Sequence, residues 1–179
     1  MSRPSPRVAR RLKALNELAR VTTAMIDGEE VLRIPEEQTL HYIKNPDPNH
    51  RFLALDHFVV DHEPFLRVKK LLLRIQTLAD FPCSTLLFLV VEGLGQAVTP
   101  LVQNGNHSRY YEFGAGQTAL APEMKECLEN GRIVEAPVEH PRGMLSVLAP
   151  VFDSMGDVVG LVELSAPNPV TCKSVPGYN

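Results

Sequence analysis

Residues 144–166, MLSVLAPVFDSMGDVVGLVELSA, decide the fold. Within this stretch, Met144–Phe152 and residues 158–166 are rich in the aliphatic and β-branched side chains that strands favour. The polar connection between the two runs contains Asp153 and Gly156, which are typical of tight turns. The stretch therefore predicts two antiparallel strands that are joined by a hairpin.

Other residues predict the position of this hairpin in the sheet and two further strands. Pro150 lies within the first run, and because proline lacks a backbone donor, it places this strand at a sheet edge or beside a bulge. Upstream, residues 84–92 (STLLFLVVE) form a continuous β-favouring run, which predicts a central strand covered on both faces. Gly93-Leu94-Gly95 then predicts a hairpin into a returning strand over residues 96–102.

Apolar residues at helical spacing predict three helices. The first spans residues 7–25, and the second spans about residues 64–79. The third spans about residues 119–130 and ends at Gly131, because glycine is the usual residue after a helix C-terminus. A short strand over residues 132–136 follows it.

The first helix carries an apolar face opposite a row of basic residues. Two interpretations of this face remain open. It packs on its own domain, or it pairs with a copy of itself and forms a homodimer through the N-terminal helix. The residues of the face are Leu12, Leu15, Leu18, Ala19 and Thr22.

The order of these elements predicts an α+β domain, since runs of antiparallel strands stand beside helices. We place an N-terminal helix and irregular extension over residues 1–60 and the compact domain over residues 61–166. Residues 167–179 contain Pro167 and Pro169 and are expected to form an irregular tail. The boundary between extension and domain is expected near the proline-containing loop at residues 45–49.

Three segments together resemble a known family: CSTLLFLVVEGLGQAVTPLVQNG, ENGRIVEAPV and the closing hairpin. They are similar to GAF domains, and the hairpin is equally similar to PAS-like and Cache sensor domains. In this group of domains, a strand with an Ala-Pro-Val-like sequence precedes a D-x-x-G turn and a second strand that contains glycine. Ala149-Pro150-Val151, Asp153, Gly156 and Gly160 occupy those places, and the resemblance covers roughly residues 64–166.

The resemblance implies a GAF/PAS-like antiparallel sheet of up to six strands, with helices packed on one side. It implies that a ligand binds between the sheet and the loops that cross its other face. Ligands in the group include cyclic nucleotides, tetrapyrroles, haem and small metabolites, while other members serve as dimerisation modules. We therefore expect a non-enzymatic, signal-sensing regulatory domain of a bacterial-type signalling system, or alternatively an interaction module without a ligand. No cofactor is assigned.

Candidate ligand-binding residues lie in two segments. The first contains His107, Arg109, Tyr110 and Tyr111, where aromatic rings and a guanidinium could line a pocket for an anionic ligand. In the alternative interpretation, this segment is exposed and its tyrosines cover the sheet edge.

The second segment is the loop EHPRG at residues 139–143, with His140 and Arg142 as candidates. In this fold, the loop can face the same side as the first segment. The alternative is a solvated charged loop.

The sequence also contains residues that suit two alternatives to a sensor, a metal site and an enzyme. His57 and His62 each follow an aspartate, but their spacing does not place both on one helix face, and no metal site is assigned. A GAF-type methionine sulfoxide reductase would need a reactive cysteine near a resolving one, with Cys83 and Cys127 as candidates.

Composition narrows the function classes. The chain has 179 residues, of which 22% are charged, and a formal net charge of -3, which does not indicate a nucleic-acid-binding protein. No apolar run reaches the roughly 18–20 residues that span a bilayer. No apolar stretch of the length found in signal peptides follows the basic N-terminus. We expect a cytoplasmic protein. P-loop, HExxH and GxSxG motifs are absent.

Overall fold

The computed structural model of the chain describes residues 4–35, 62–90, 97–105, 107–111, 118–138 and 143–171. The helices are α1 (Pro6–Met25), α2 (Gly28–Leu32), α3 (His62–Gln76) and α4 (Pro122–Asn130). The strands are β1 (Ser84–Val90), β2 (Ala97–Asn104), β3 (Thr118–Ala119), β4 (Val134–Glu135), β5 (Met144–Phe152) and β6 (Val158–Pro167).

The strands form a six-stranded sheet in the order β3-β2-β1-β6-β5-β4. Every neighbouring pair is antiparallel. The predicted α+β fold with a GAF-like antiparallel sheet is confirmed, and so is the central position of β1, whose neighbours are β2 and β6. The returning strand predicted for residues 96–102 is β2.

The closing hairpin has the predicted turn chemistry. The side chain of Asp153 accepts hydrogen bonds from the backbone N–H groups of Met155 and Asp157, at 2.9 Å each. Gly156 has a φ of +87°, a left-handed conformation that glycine adopts without strain. These contacts fix the register of β5 against β6, in which Ser146 lies opposite Ser165.

Pro150 lies in β5, which is the second strand from the edge of the sheet, so the predicted edge position is wrong for the strand as a whole. Strand β4 pairs with β5 only at Leu148 and Val147, and among the described residues no strand pairs with the outer side of Pro150. The pairing of β5 with β6 also shifts register between Val151 and Phe152. The proline therefore needs no ladder donor on its outer side.

Side chains of the strands alternate between two faces of the sheet. One face, here called the helix face, is covered by α1, α2 and α3. The helix α1 packs against β5 and β6. Its predicted apolar face is buried there: Leu12, Leu15, Leu18, Ala19 and Thr22 are all buried. Of the two interpretations of this face, packing on its own domain is correct, and the face is not available for the predicted homodimer contact.

The other face, here called the α4 face, carries a second apolar cluster. The helix α4 packs against β4, β5 and β6, and its residues Met124 and Cys127 share this cluster with Leu86 and Phe88 of β1 and Leu148 of β5. The expectation that all helices lie on one side is therefore wrong, because α4 covers the face on which the resemblance placed only loops.

Asp27 precedes the helix α2, which begins at Gly28. The side chain of Asp27 accepts a hydrogen bond from the backbone N–H of Glu29 at 3.0 Å and caps this helix. A Cβ on Gly28 would lie 2.6 Å from the carbonyl carbon of Phe152, so the end of β5 approaches α2 too closely for a side chain. The extension thus contributes to the core, while the boundary predicted at residues 45–49 lies outside the described residues.

The observed ends of two other helices differ from the predicted ends by a few residues. The helix α3 ends at Gln76, and α4 begins at Pro122, because residues 118 and 119 belong to β3. Gly131 has a φ of +57° and ends α4 as predicted. Among the described residues, no helix is long and apolar enough to cross a membrane.

Candidate functional site

The α4 face carries a group of polar residues at one end of the sheet. Ser84 of β1, Ser165 of β6 and Ser146 of β5 lie opposite one another and form a row of serines across three strands. Glu163 precedes Ser165 by two residues on β6, so its side chain points to the same face. A polar row of this kind is unusual in the interior of a sheet, where apolar residues are more stable.

Glu163 is 1% exposed, and its carboxylate accepts hydrogen bonds from three donors. The Oγ of Ser108 donates at 2.5 Å, the Oγ of Ser146 donates at 2.7 Å, and the backbone N–H of Arg109 donates at 2.7 Å. Burial raises the pKa of Glu163, and these hydrogen bonds lower it by a smaller amount.

Residues 107–111, here called the strap, cross the sheet above this row. The Oγ of Ser165 donates a hydrogen bond to the backbone carbonyl of His107 at 2.7 Å. The Oγ of Ser108 accepts from the backbone N–H groups of Tyr110 and Tyr111, at 3.1 Å and 3.0 Å. Strand β6 therefore holds the strap at three consecutive residues, since Glu163 binds Ser108 and Arg109.

The side chain of Arg109 joins the strap to α4. Its guanidinium donates to the carbonyl of Pro137 at 2.6 Å and lies 3.5 Å from the carboxylate of Glu123. The hydroxyl of Tyr110 donates to the same carboxylate at 2.9 Å, and the guanidinium carbon lies 5.9 Å from the Tyr110 ring centre. Burial raises the pKa of Tyr110, and the negative charge of Glu123 raises it further.

The first predicted group of site residues is thus brought together in one place. Side chains of His107, Arg109, Tyr110 and Tyr111 are all partly buried, and the two tyrosines pack on the apolar cluster of the α4 face. The alternative of an exposed segment at the sheet edge does not describe them. Their role in ligand binding stays a prediction.

The remaining candidates lie at or beyond the limits of the described residues. His140, Arg142 and His57 are outside them, and the side chain of His62 at the start of α3 is also outside them. In the described part of the chain, no group of three or more His, Cys, Asp or Glu side chains is arranged to hold a metal ion.

The two candidate cysteines lie on opposite faces of the sheet. Cys83 packs against the cluster of the helix face, and Cys127 belongs to the cluster of the α4 face. Burial raises the pKa of each thiol to about 12, so both are protonated near neutral pH. The reductase alternative required these cysteines to be adjacent, and the structure separates them.

Sequence reasoning missed Glu163, the residue on which the strap depends. A signal was present, because Glu163 is the one charged residue in the run from Val158 to Pro167. A charge within a strand that is otherwise apolar must be paired, functional or at the surface. Its partner Ser108 is 55 residues away in the sequence, so the local pattern does not reveal the contact.

The fold is similar to that of sensory and ligand-binding domains of solved structure. Neither a protein-family model nor a curated protein sequence matches the chain. A GAF domain structure is 9% identical with a TM-score of 0.43, and the match covers 88% of this chain and 81% of that chain.

Two further structures are similar. The inducer-binding domain of the PobR transcription factor from Acinetobacter is 11% identical with a TM-score of 0.41, and the match covers 62% of this chain and 85% of that one. The sensory domain of the Campylobacter jejuni chemoreceptor Tlp3 is 14% identical with a TM-score of 0.35, covering 90% of this chain and 62% of that one. At this level, the similarity concerns the fold alone.

Proposed function

We propose that this chain is a signal-sensing regulatory domain that binds a small molecule on the α4 face of its sheet, beside the strap. The observation that carries the proposal is the buried carboxylate of Glu163 with its hydroxyl and amide donors. Burying an ionisable group costs free energy that an apolar side chain would not cost. Such groups concentrate at functional sites, where the polar arrangement is needed for binding.

The chemistry of the strap favours a small anionic ligand with an apolar or aromatic body. Tyr110 and Tyr111 offer aromatic surface, and the guanidinium of Arg109 has five N–H donors. Within the described residues, Pro137 and Glu123 contact two of its three nitrogens, and the third nitrogen carries donors that suit an anionic group. His140 and Arg142, which lie outside the described residues, remain contributors proposed from the sequence. The cytoplasmic location and the bacterial-type signalling context stay predictions from the sequence.

Native mass spectrometry of the purified chain, followed by thermal denaturation with a panel of probes, tests this function. The panel contains benzoate, small aliphatic carboxylates and free amino acids. A ligand at about 100 times its Kd should raise the Tm by about 5–10 °C. The proposal is contradicted if the spectrum shows no bound small molecule and no member of the panel raises the Tm.

Two variants locate the effect at the strap. Arg109→Ala should abolish the ligand-induced rise in Tm, because it removes the guanidinium that recognises the anion. Arg132→Ala is the matched control, since Arg132 is an exposed arginine that follows α4 and lies outside the strap. Equal ligand-induced shifts in both variants would place the ligand elsewhere.

A domain that acts through self-association without a ligand is the second candidate. Leu66 and Leu73 lie two turns apart on α3 and remain 46% and 45% exposed, which favours contact with another helix. This candidate predicts a dimer without a bound small molecule in the same native spectra. It also predicts that Leu73→Ser shifts the dimer to monomer, whereas a monomer in the wild type excludes it.

A further inference from the structure

We infer that Glu163 is a positioning residue and that closure of the strap over it is coupled to the uptake of a proton. The closed strap covers the carboxylate and replaces its water with two donors of its own, those of Ser108 and Arg109. When the carboxylate ionises, water competes for it, and the strap loosens. The inference concerns the strap itself, and only its consequence for ligand affinity rests on the proposed function.

The hydrogen-bonding groups around Glu163 fix where the proton resides. The hydroxyl of Ser108 accepts from two backbone N–H groups, so both of its lone pairs are used and its own proton points to Oε2 of Glu163. The backbone N–H of Arg109 can only donate, and it points to Oε1. Both strap groups are therefore fixed donors, and neither can accept a proton from the carboxyl group.

Ser146 is the group that can accept this proton. Its hydroxyl lies 2.7 Å from Oε1 and belongs to β5 rather than to the strap. A hydroxyl can reverse its direction, donating to an ionised carboxylate and accepting from a protonated one. With the proton on Oε1 and directed at Ser146, both hydrogen bonds from the strap are retained. The closed strap thus accommodates the neutral acid without losing either of its bonds.

The charged and titratable groups near Glu163 among the described residues come from two elements. The strap brings Arg109, which lowers the pKa of Glu163, and its other titratable residues are His107, Tyr110 and Tyr111. The helix α4 brings Glu123, which pairs with Arg109. The neighbouring positions on β1 and β5 are leucines. Because burial outweighs these contacts and raises the pKa, the closed state binds the proton more strongly than a hydrated, open state.

The direction of the coupling follows from this difference. The state with the higher pKa gains population as pH falls, so acidification closes the strap and rising pH opens it. The ratio of closed to open strap changes tenfold for each unit of pKa difference between the two states. If the strap frames the ligand site, ligand affinity should rise on acidification by the same factor.

An NMR titration of the isotopically labelled full chain tests the coupling without any ligand. The side-chain carboxyl carbon of Glu163 reports its ionisation, and hydrogen exchange of the Tyr110 and Tyr111 amides reports the strap. We expect protection of both amides, corrected for intrinsic exchange rates, to fall as pH rises through the midpoint of Glu163, about tenfold for each unit by which the pKa values of the closed and open states differ. Unchanged protection through that midpoint, or a loss of protection on acidification, would overturn the inference.

A Glu163→Gln variant separates coupling from a purely structural role. Its amide group cannot ionise, so the pH-dependent step in the protection of the Tyr110 and Tyr111 amides should disappear. Their protection should also be lower at every pH, because the NH₂ group cannot accept a hydrogen bond from a donor of the strap. A step that persists in this variant would assign the proton to another group. Should the variant fail to fold, the wild-type titration alone still decides, because it compares two midpoints within one molecule.

Discussion

At the scale of single residues, the sheet tolerates one buried carboxylate because its neighbours are hydrogen-bond donors. Glu163 lies among leucines on the adjacent strands, yet Ser108, Ser146 and the backbone of Arg109 all donate to it. Burial still opposes the charge more strongly than these donors favour it. The residue therefore costs stability in its ionised form.

This cost predicts the pH dependence of folding. The pKa of Glu163 is raised in the folded state, so its contribution to stability is fully present below the unfolded pKa. It is lost as pH rises through the folded pKa. Urea unfolding between pH 4 and 8 should show the wild type losing stability relative to Glu163→Gln, by about 1.4 kcal/mol for each unit of raised pKa.

The exposed Glu126 on α4 supplies the control for this measurement. The difference between wild type and Glu126→Gln should stay nearly constant over the same pH range, because an exposed side chain loses little hydration on folding. A wild type that gains stability relative to Glu163→Gln as pH rises would reverse the sign assigned to burial.

At the scale of elements, the local sequence pattern was sufficient to predict a helix or strand where the apolar residues of that element follow a clear period. The limits of α1 and of the closing hairpin agree with the sequence within one residue, since apolar spacing and turn residues define them. The helix α2 was missed, because its five residues form a helix by packing on the end of β5 rather than by propensity.

Gly28 tests this explanation of α2. Alanine is normally about 1 kcal/mol more favourable than glycine in a helix. Here a Cβ would lie 2.8 Å from the backbone nitrogen of Asp153, so Gly28→Ala should destabilise the fold by about 1–3 kcal/mol in urea unfolding. Leu32→Ala, at an exposed position of the same helix, should change stability far less. A stabilised Gly28→Ala variant would mean that α2 does not pack on β5.

At the scale of the whole molecule, the two faces of the sheet differ in what they bury. The helix face joins α1, α2 and α3 in a continuous apolar core, and the α4 face combines an apolar cluster with the polar row under the strap. Strap residues were predictable as aromatic and basic side chains in one segment. Their attachment to Glu163 was not, because it depends on strands that meet only in the folded sheet.

The most direct test of the small-molecule site is its location. Backbone amide spectra of the labelled full chain should be recorded during addition of the panel compound that raises the Tm most. We expect the shifted resonances to cluster in the strap and at β6 around Glu163, with α1 and α3 unchanged. Resonances that shift mainly in α1 and α3 while the strap stays unchanged would contradict a ligand site on the α4 face.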